Sequence, residues 1–121
     1  MAIPSYRDLD VWRKAMDLTV ACYRLAERLP EHERFGLALQ IRRASVSVPA
    51  NIAEGKARQG AREFARFLSI AQGSLAEVET HLELIARLQY IDATGIQSLL
   101  DRTAEIGRML TGLIRSLKAP R

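Results

Sequence analysis

Residues Ala61 to Gln89 read AREFARFLSIAQGSLAEVETHLELIARLQ. Apolar residues recur through this stretch at steps of three and four. They are Phe64, Leu68, Ala71, Leu75, Val78, Leu82 and Ile85. This spacing puts the side chains on one face of an α-helix, because a helix completes a turn every 3.6 residues. The stretch therefore predicts a long helix over residues 61–89 that buries one face against other helices.

The same periodicity continues on both sides of this helix. It predicts helices over residues 8–29, 34–58 and 94–117, with Pro30 ending the first. Four amphipathic helices joined by short connections pack most simply as an antiparallel bundle with neighbours crossing at about 20°. The sequence therefore predicts an all-α fold, an up-down-up-down four-helix bundle that forms a single domain over residues 1–121.

Pro49 lies inside the second predicted helix. A proline removes one backbone donor and clashes with the preceding turn, so we expect a kink near Val46 to Pro49 or a short break. The segment from Ser45 to Val48 alternates like a β-strand. We reject a strand there because the sequence offers no second strand to pair with it, and an unpaired strand leaves its backbone groups unsatisfied.

Composition is typical of a soluble globular domain. The longest uncharged runs, 44–53 and 67–76, are half the length of about 20 residues that a membrane span needs. No secretory signal is present, so we expect a cytoplasmic protein without membrane contact. Cys22 is the only cysteine and lies on the apolar face of the first helix, which predicts a buried, unreactive thiol rather than a disulfide.

The excess of positive charge is concentrated in one segment. The net charge is +4. Between positions 42 and 66, Glu54 and Glu63 are outnumbered by six basic residues, and the rest of the chain is neutral. The basic residues are Arg42, Arg43, Lys56, Arg58, Arg62 and Arg66. Such a surface is suited to phosphate groups of RNA or DNA. The alternative is a solvated face with local Glu–Arg pairs.

Aromatic residues lie among these arginines. Phe64 and Phe67 suggest stacking on bases, but Phe64 is on the core face and Phe67 flanks it, so packing is the stronger interpretation for both. Asn51, just after Pro49, needs polar partners if it is buried. We expect a structural polar network of Arg43, Asn51 and Glu54 around the kink.

Two of the helices are apolar on a second side. The extra apolar residues are Trp12, Met16, Val20 and Tyr23 on the first helix, and Leu39 and Val46 on the second. Exposed contiguous apolar surface marks interfaces, so we predict a homo-oligomer with these residues in the contact. The alternative is that loops or the kinked second helix cover the patch within one protomer.

Catalytic and metal-binding patterns are weak. The chain has only two histidines, His32 and His81, and Glu77 and His81 form a lone i,i+4 pair. We expect His81 to be solvated near Glu77. No nucleophile motif or phosphate loop occurs. We therefore expect no enzyme activity, metal, cofactor or small-molecule substrate.

The segment RRASVSVPANIAEG, from Arg42 to Gly55, resembles the signature of the four-helix-bundle proteins encoded in intervening sequences of bacterial 23S ribosomal RNA genes. The pattern FxxFLxIAxGSxxE from Phe64 to Glu77, the opening YRDLxVW from Tyr6, and the ending LIxSL from Leu113 are also similar to that family. The resemblance implies an antiparallel bundle assembled as a homopentameric ring with a central opening.

The family is also similar to the accessory variability protein of diversity-generating retroelements, which is pentameric and basic and works with a reverse transcriptase and nucleic acid. Together with the basic segment, this resemblance favours a non-enzymatic pentamer that binds RNA or DNA. The alternative is a protein–protein interaction scaffold that docks an acidic protein partner.

Overall fold

The computed structural model describes residues 5–120. Within this range the chain forms four α-helices and two short 3-10 turns, and it contains no β-strand. The helices are α1 (Asp10–Glu27), α2 (Leu37–Ala57), α3 (Ala61–Arg87) and α4 (Ala93–Lys118). Each helix contacts the next along the chain, and α1 also contacts α4. The predicted all-α class and four-helix bundle are confirmed.

The helix ends differ from the predicted bounds by at most three residues. The first helix starts later because Tyr6–Asp8 forms a 3-10 turn, in which the Ser5 hydroxyl accepts the N–H of Arg7 at 3.1 Å. The second starts at Leu37 because Glu31–Glu33 forms another turn. There the Glu33 carboxylate accepts the N–H of Leu37 at 3.1 Å, satisfying one of the free donors at the helix start.

Helix α2 runs unbroken through Pro49, so the break considered there is absent. A bend at this proline stays a prediction. The proline has no N–H to give to the carbonyl of Ser45, one turn earlier. Instead, the Thr19 hydroxyl of α1 donates to that carbonyl at 2.9 Å. A neighbouring helix thus supplies the donor that α2 lacks.

The predicted apolar faces form the core. On α1 the apolar residues at steps of four and three are buried, namely Val11, Ala15, Leu18, Cys22 and Leu25. On α3 the whole predicted stripe is buried apart from Phe64, which is partly buried. Cys22 is fully buried, as expected, and loss of solvation raises the pKa of its thiol to about 11. The thiol is therefore protonated at neutral pH and unreactive.

Polar side chains join the two connections at one end of the bundle. The Tyr90 hydroxyl donates to the Glu33 carboxylate at 2.8 Å, and Nε2 of His32 lies 3.1 Å from the same hydroxyl. The N–H of Leu37 and the Tyr90 hydroxyl hold the pKa of Glu33 below its usual value. The cluster ties the α1–α2 connection to the α3–α4 connection. None of the helices in residues 5–120 combines the length and apolarity required to cross a membrane.

Candidate nucleic-acid interface

The predicted basic residues do not form one surface. Arg42 and Arg43 lie in the second turn of α2, whereas Lys56 and Arg58 lie at its end. At 1.5 Å per residue, the two groups are about 20 Å apart along the helix axis. Arg42 lines a cleft of about 210 Å³ that Glu27 and Glu31 also line, near the α1–α2 connection. The predicted site therefore divides into two regions.

Three of the predicted arginines meet at the junction of α2 and α3. Gly60 makes the reversal possible, since its φ of 100° lies in the left-handed region that favours glycine. Arg66 binds the Glu63 carboxylate through two nitrogens at 2.9 and 3.3 Å. This pairing, with the charges of Arg58 and Arg62 nearby, lowers the pKa of Glu63. The structure thus gathers Arg58, Arg62 and Arg66 around one carboxylate, and we call them the junction arginines.

The junction arginines remain exposed although two of them are paired. Arg58 binds Glu54 at 2.9 Å with about half of its side chain exposed (52%), and the Arg66–Glu63 pair is similarly accessible. Ion pairs this exposed contribute little to stability, so an incoming phosphate can replace the carboxylate at small cost. Within residues 5–120, Arg62 and Lys56 make no ion pair.

Phe67 supports the arginines from below and is not available to bases. Its ring is buried, and the guanidinium groups of Arg58 and Arg66 lie 5.2 and 4.6 Å from its centroid. Phe67 can lie this close to α2 because residue 55 is glycine, since a Cβ at that position would lie 2.6 Å from Cβ of Phe67. The interpretation of Phe64 and Phe67 as packing residues is confirmed.

Helix α4 brings further cations that the sequence analysis did not assign. It runs antiparallel to α3, with Thr111 bound to Gln72 at 2.9 Å and Thr103 bound to Glu79 at 2.7 Å. As a result, Lys118 lines the same groove as Arg62 and Arg66. Arg108 and Arg115 line the next section of the groove between these helices. Their i,i+7 and i,i+3 spacing was visible in the sequence, but only the helix register shows that they join the α3 arginines.

The predicted interface residues lie on the outer face of α1 and α2. Met16, Val20, Tyr23 and Val46 are between 40% and 48% exposed. Trp12 is partly buried, and its ring packs edge-on against that of Tyr6 in the same protomer, with 5.2 Å between the ring centroids. Leu39 is partly buried too. We refer to the four exposed residues as the α1–α2 face.

Residues 7–112 match the family model of the 23S rRNA-intervening sequence protein. This chain belongs to that family. Its fold is similar to a crystal structure from Bacteroides thetaiotaomicron VPI-5482, of a protein of unknown function from the S23 ribosomal protein family. The two are 31% identical, the match covers 87% of this chain and 98% of the other, and the TM-score is 0.81. No curated protein matches this chain.

In this member of the 23S rRNA-intervening sequence protein family, the predicted network of Arg43, Asn51 and Glu54 is wrong. The Asn51 amide donates to the carbonyl and hydroxyl oxygens of Ser47 at 2.8 and 2.9 Å. The Ser47 hydroxyl lies 2.8 Å from that of Ser74, so the network joins α2 to α3. Asn51 binds Ser47, one turn earlier on the same helix, while Glu54 pairs with Arg58 and Arg43 is exposed to solvent.

The expectation that His81 is solvated is also wrong. Both of its ring nitrogens are shielded from solvent, and neither has a hydrogen-bond partner in the described part of the chain. The Ser47–Ser74 pair sets the register of the antiparallel helices α2 and α3, which places His81 opposite Gln40, two turns away. Glu77 is exposed. Among residues 5–120, no three His, Cys, Asp or Glu side chains form a group that could hold a metal ion.

Proposed function

We propose that this member of the 23S rRNA-intervening sequence protein family is a non-enzymatic homo-oligomer, a pentameric ring, that binds RNA or DNA. The observation that supports it most directly is the gathering of the junction arginines on an exposed end of the bundle. Clustered cations bind a phosphate backbone by releasing its counterions, with little base specificity. In a ring, each protomer would repeat the cluster and strengthen the field.

Assembly is supported by the α1–α2 face. Its four residues leave apolar side chains in water, and burying apolar surface contributes about 25 cal/mol per Å². A groove of about 400 Å³ between α1 and α2 is lined by Val20, Tyr23 and Val46. Side chains of a second copy could pack into this groove. The subunit number follows the resemblance stated above, since the apolar face alone fixes no symmetry.

Light scattering of the purified protein tests assembly. We expect five times the protomer mass, and a lower mass for the Val20→Asp, Tyr23→Asp variant, because the new charges would be buried in an apolar contact. A matched Asp10→Asn, Asp17→Asn variant changes exposed α1 positions outside the face and should keep the full mass. Trp12→Asp is a poorer test, since Trp12 also packs against Tyr6 in its own protomer. A monomeric wild type contradicts the proposal.

Filter binding of RNA and DNA across a salt series tests the nucleic-acid role. We expect binding at low salt that weakens as salt rises, and a loss of affinity when Arg58, Arg62 and Arg66 are changed together to Gln. Absence of wild-type binding at low salt, or binding unchanged in that variant, rejects the proposal.

An acidic protein partner is the second candidate. It is favoured by the burial of Phe67, because the junction offers charge without an exposed aromatic ring for base stacking. Pull-down from lysate treated with nuclease distinguishes the two candidates. An acidic protein partner stays bound after the treatment, whereas partners bridged by nucleic acid are lost.

The surroundings of the single cysteine and the two histidines support a non-catalytic role. Burial keeps the Cys22 thiol protonated, and His32 is engaged by Tyr90. The ring nitrogens of His81 are closed off from solvent. These side chains are therefore poorly placed to attack a substrate or to exchange protons with one.

A further inference from the structure

A furrow runs along the contact between α3 and α4. It has two consecutive sections, of about 990 Å³ and 700 Å³. Ser69 lines the first section and Gln72, one turn further along α3, lines the second. Lys118 and Arg115 line the two sections in the same way on α4. The two sections are therefore parts of one furrow, open to solvent, that follows the two helices.

Small side chains keep the furrow open. Ala65 and Ser69 line the first section, and Ala76, Ala104 and Gly107 line the second. Of the residues that the structure describes, no aromatic one lines either section. Leu75 and Leu117 also line the furrow, but small residues predominate between the two helices, whose axes in such packing are about 8–10 Å apart. The furrow is open to solvent along its length, so an extended chain can enter it from the side.

The cations along the furrow outnumber the carboxylates. Arg62 and Arg66 line it from α3, and Arg108, Arg115 and Lys118 line it from α4. The lining carboxylates are Glu63 and Glu79. Both are already engaged, since Arg66 binds Glu63 and the Thr103 hydroxyl donates to Glu79. The furrow therefore presents a net positive charge along its length.

The spacing of these cations suits a series of phosphates better than a single anion. Arg62 and Arg66 are about 6 Å apart along α3, and Arg108 and Arg115 about 10 Å apart along α4, at 1.5 Å per residue. Gln72 and Thr111 add polar atoms within the second section. A regularly charged polymer can meet several of these groups at once.

We infer that a single strand of RNA or DNA lies along the α3–α4 furrow, held through its phosphates by Arg108, Arg115 and Lys118 together with Arg62 and Arg66. This inference rests on the proposed nucleic-acid function and adds to it the route of the strand and three binding residues on α4. A single strand suits the furrow because an extended chain that follows the two antiparallel helices can meet cations on both of them. Binding is insensitive to base sequence, because no aromatic side chain in the furrow can stack on a base.

Fluorescence anisotropy with a 20-nucleotide oligouridine, and with oligothymidine of the same length, tests the inference in the full-length protein. The furrow variant changes Arg108, Arg115 and Lys118 to Gln. The matched control changes Arg7, Arg28 and Arg87 to Gln, three exposed arginines that line neither the furrow nor the α1–α2 groove. The two variants have the same net charge, so any difference between them reports location.

We expect the furrow variant to bind at least about tenfold more weakly at 50 mM salt. The slope of log affinity against log salt concentration should fall in magnitude by about 2. Each phosphate contact to a single strand contributes about 0.7 to that slope, and the variant removes three cations. The control should lose much less affinity. Equal losses in the two variants overturn the inference while the proposed function stands. No binding by the wild type to either oligonucleotide overturns both.

A second variant tests the furrow without removing a cation. Gly112 lines the furrow, and a Cβ there would have no atom within 4 Å, so Gly112→Glu places a carboxylate in the furrow without displacing the core. It should weaken binding more than Ser98→Glu, an exposed position on the same helix. Equal effects overturn the inference. Light scattering should show the wild-type mass for Gly112→Glu. A lower mass would instead assign the furrow to contact between copies of the chain.

Discussion

The Thr19 hydroxyl on α1 donates a hydrogen bond to the carbonyl oxygen of Ser45 on α2, and Pro49 has left that carbonyl without its normal helical donor. The same hydroxyl also lies 2.9 Å from the carbonyl of Ala15. Only the Ser45 contact crosses between helices. Helix α2 therefore continues through a proline because a side chain of the neighbouring helix satisfies the exposed backbone.

Replacing Thr19 with Val should lower the free energy of unfolding by about 1–3 kcal/mol, because the change keeps the side-chain shape and leaves the carbonyl of Ser45 unsatisfied. Urea denaturation measures the loss. Thr80→Val is the matched control, since the Thr80 hydroxyl binds only the carbonyl of Ala76 in its own exposed helical turn. In a Pro49→Ala background, where residue 49 regains an N–H, the cost of Thr19→Val should shrink. An undiminished cost would show that Pro49 is not the reason for the contact.

Two glycines should respond to alanine with opposite signs. Gly55→Ala should destabilise the protein by about 1–3 kcal/mol, because the new methyl group would meet Cβ of Phe67 at 2.6 Å and force α2 and α3 apart. Gly73→Ala should stabilise it by about 0.5–1 kcal/mol, because a Cβ there has open space and alanine favours the helix. Chemical denaturation of both variants measures the difference. Equal effects would contradict the close approach at Gly55.

The Glu33 cluster should make stability depend on pH. Its hydrogen bonds lower the pKa of Glu33 in the folded state, so the stabilisation is present above the unfolded pKa of about 4.3 and is lost as pH falls through the folded value. Glu33→Gln removes the titrating charge. The melting temperature of the wild type should exceed that of the variant at pH 7, and the difference should shrink below about pH 4. A difference that is constant with pH would show that the charge of Glu33 is not involved.

His81 should be a position where a polar group costs stability. Its ring nitrogens are shielded and have no hydrogen-bond partner among residues 5–120, so His81→Leu should raise the free energy of unfolding by about 1 kcal/mol. His32→Leu is the matched comparison and should lower it, because Nε2 of His32 is within hydrogen-bonding distance of the Tyr90 hydroxyl. Thermal denaturation at pH 8 compares both variants with the wild type. A loss of stability in His81→Leu would indicate that the ring has a polar partner.

Much of the fold could be predicted from local pattern. The apolar stripe on α3 gave both a helix and its buried face, and Cys22 was correctly placed in the core. Helix ends were less certain, since the first residues before α1 and α2 form 3-10 turns instead. Short turns depend on side-chain contacts such as Glu33 with Leu37, and periodicity does not reveal these.

The candidate site was predicted less well because it depends on which helices lie side by side. Arg62 and Arg66 are one turn apart on α3, and the reversal at Gly60 brings Arg58, at the end of α2, beside them. Arg42 and Arg43 are close in sequence to the junction but are about 20 Å away from it along α2. Lys118 is far from the junction in sequence and yet borders the same groove.

The sequence by itself determined the helices, their buried faces and the position of the excess charge, because each of these follows from residues within a few turns of one another. Only the tertiary structure decided that Thr19 completes α2, that Asn51 binds Ser47 beside Ser74, and that α3 and α4 bring their cations to one furrow. These contacts depend on the register between helices. That register is set by how whole faces interlock, which no single segment of the chain specifies.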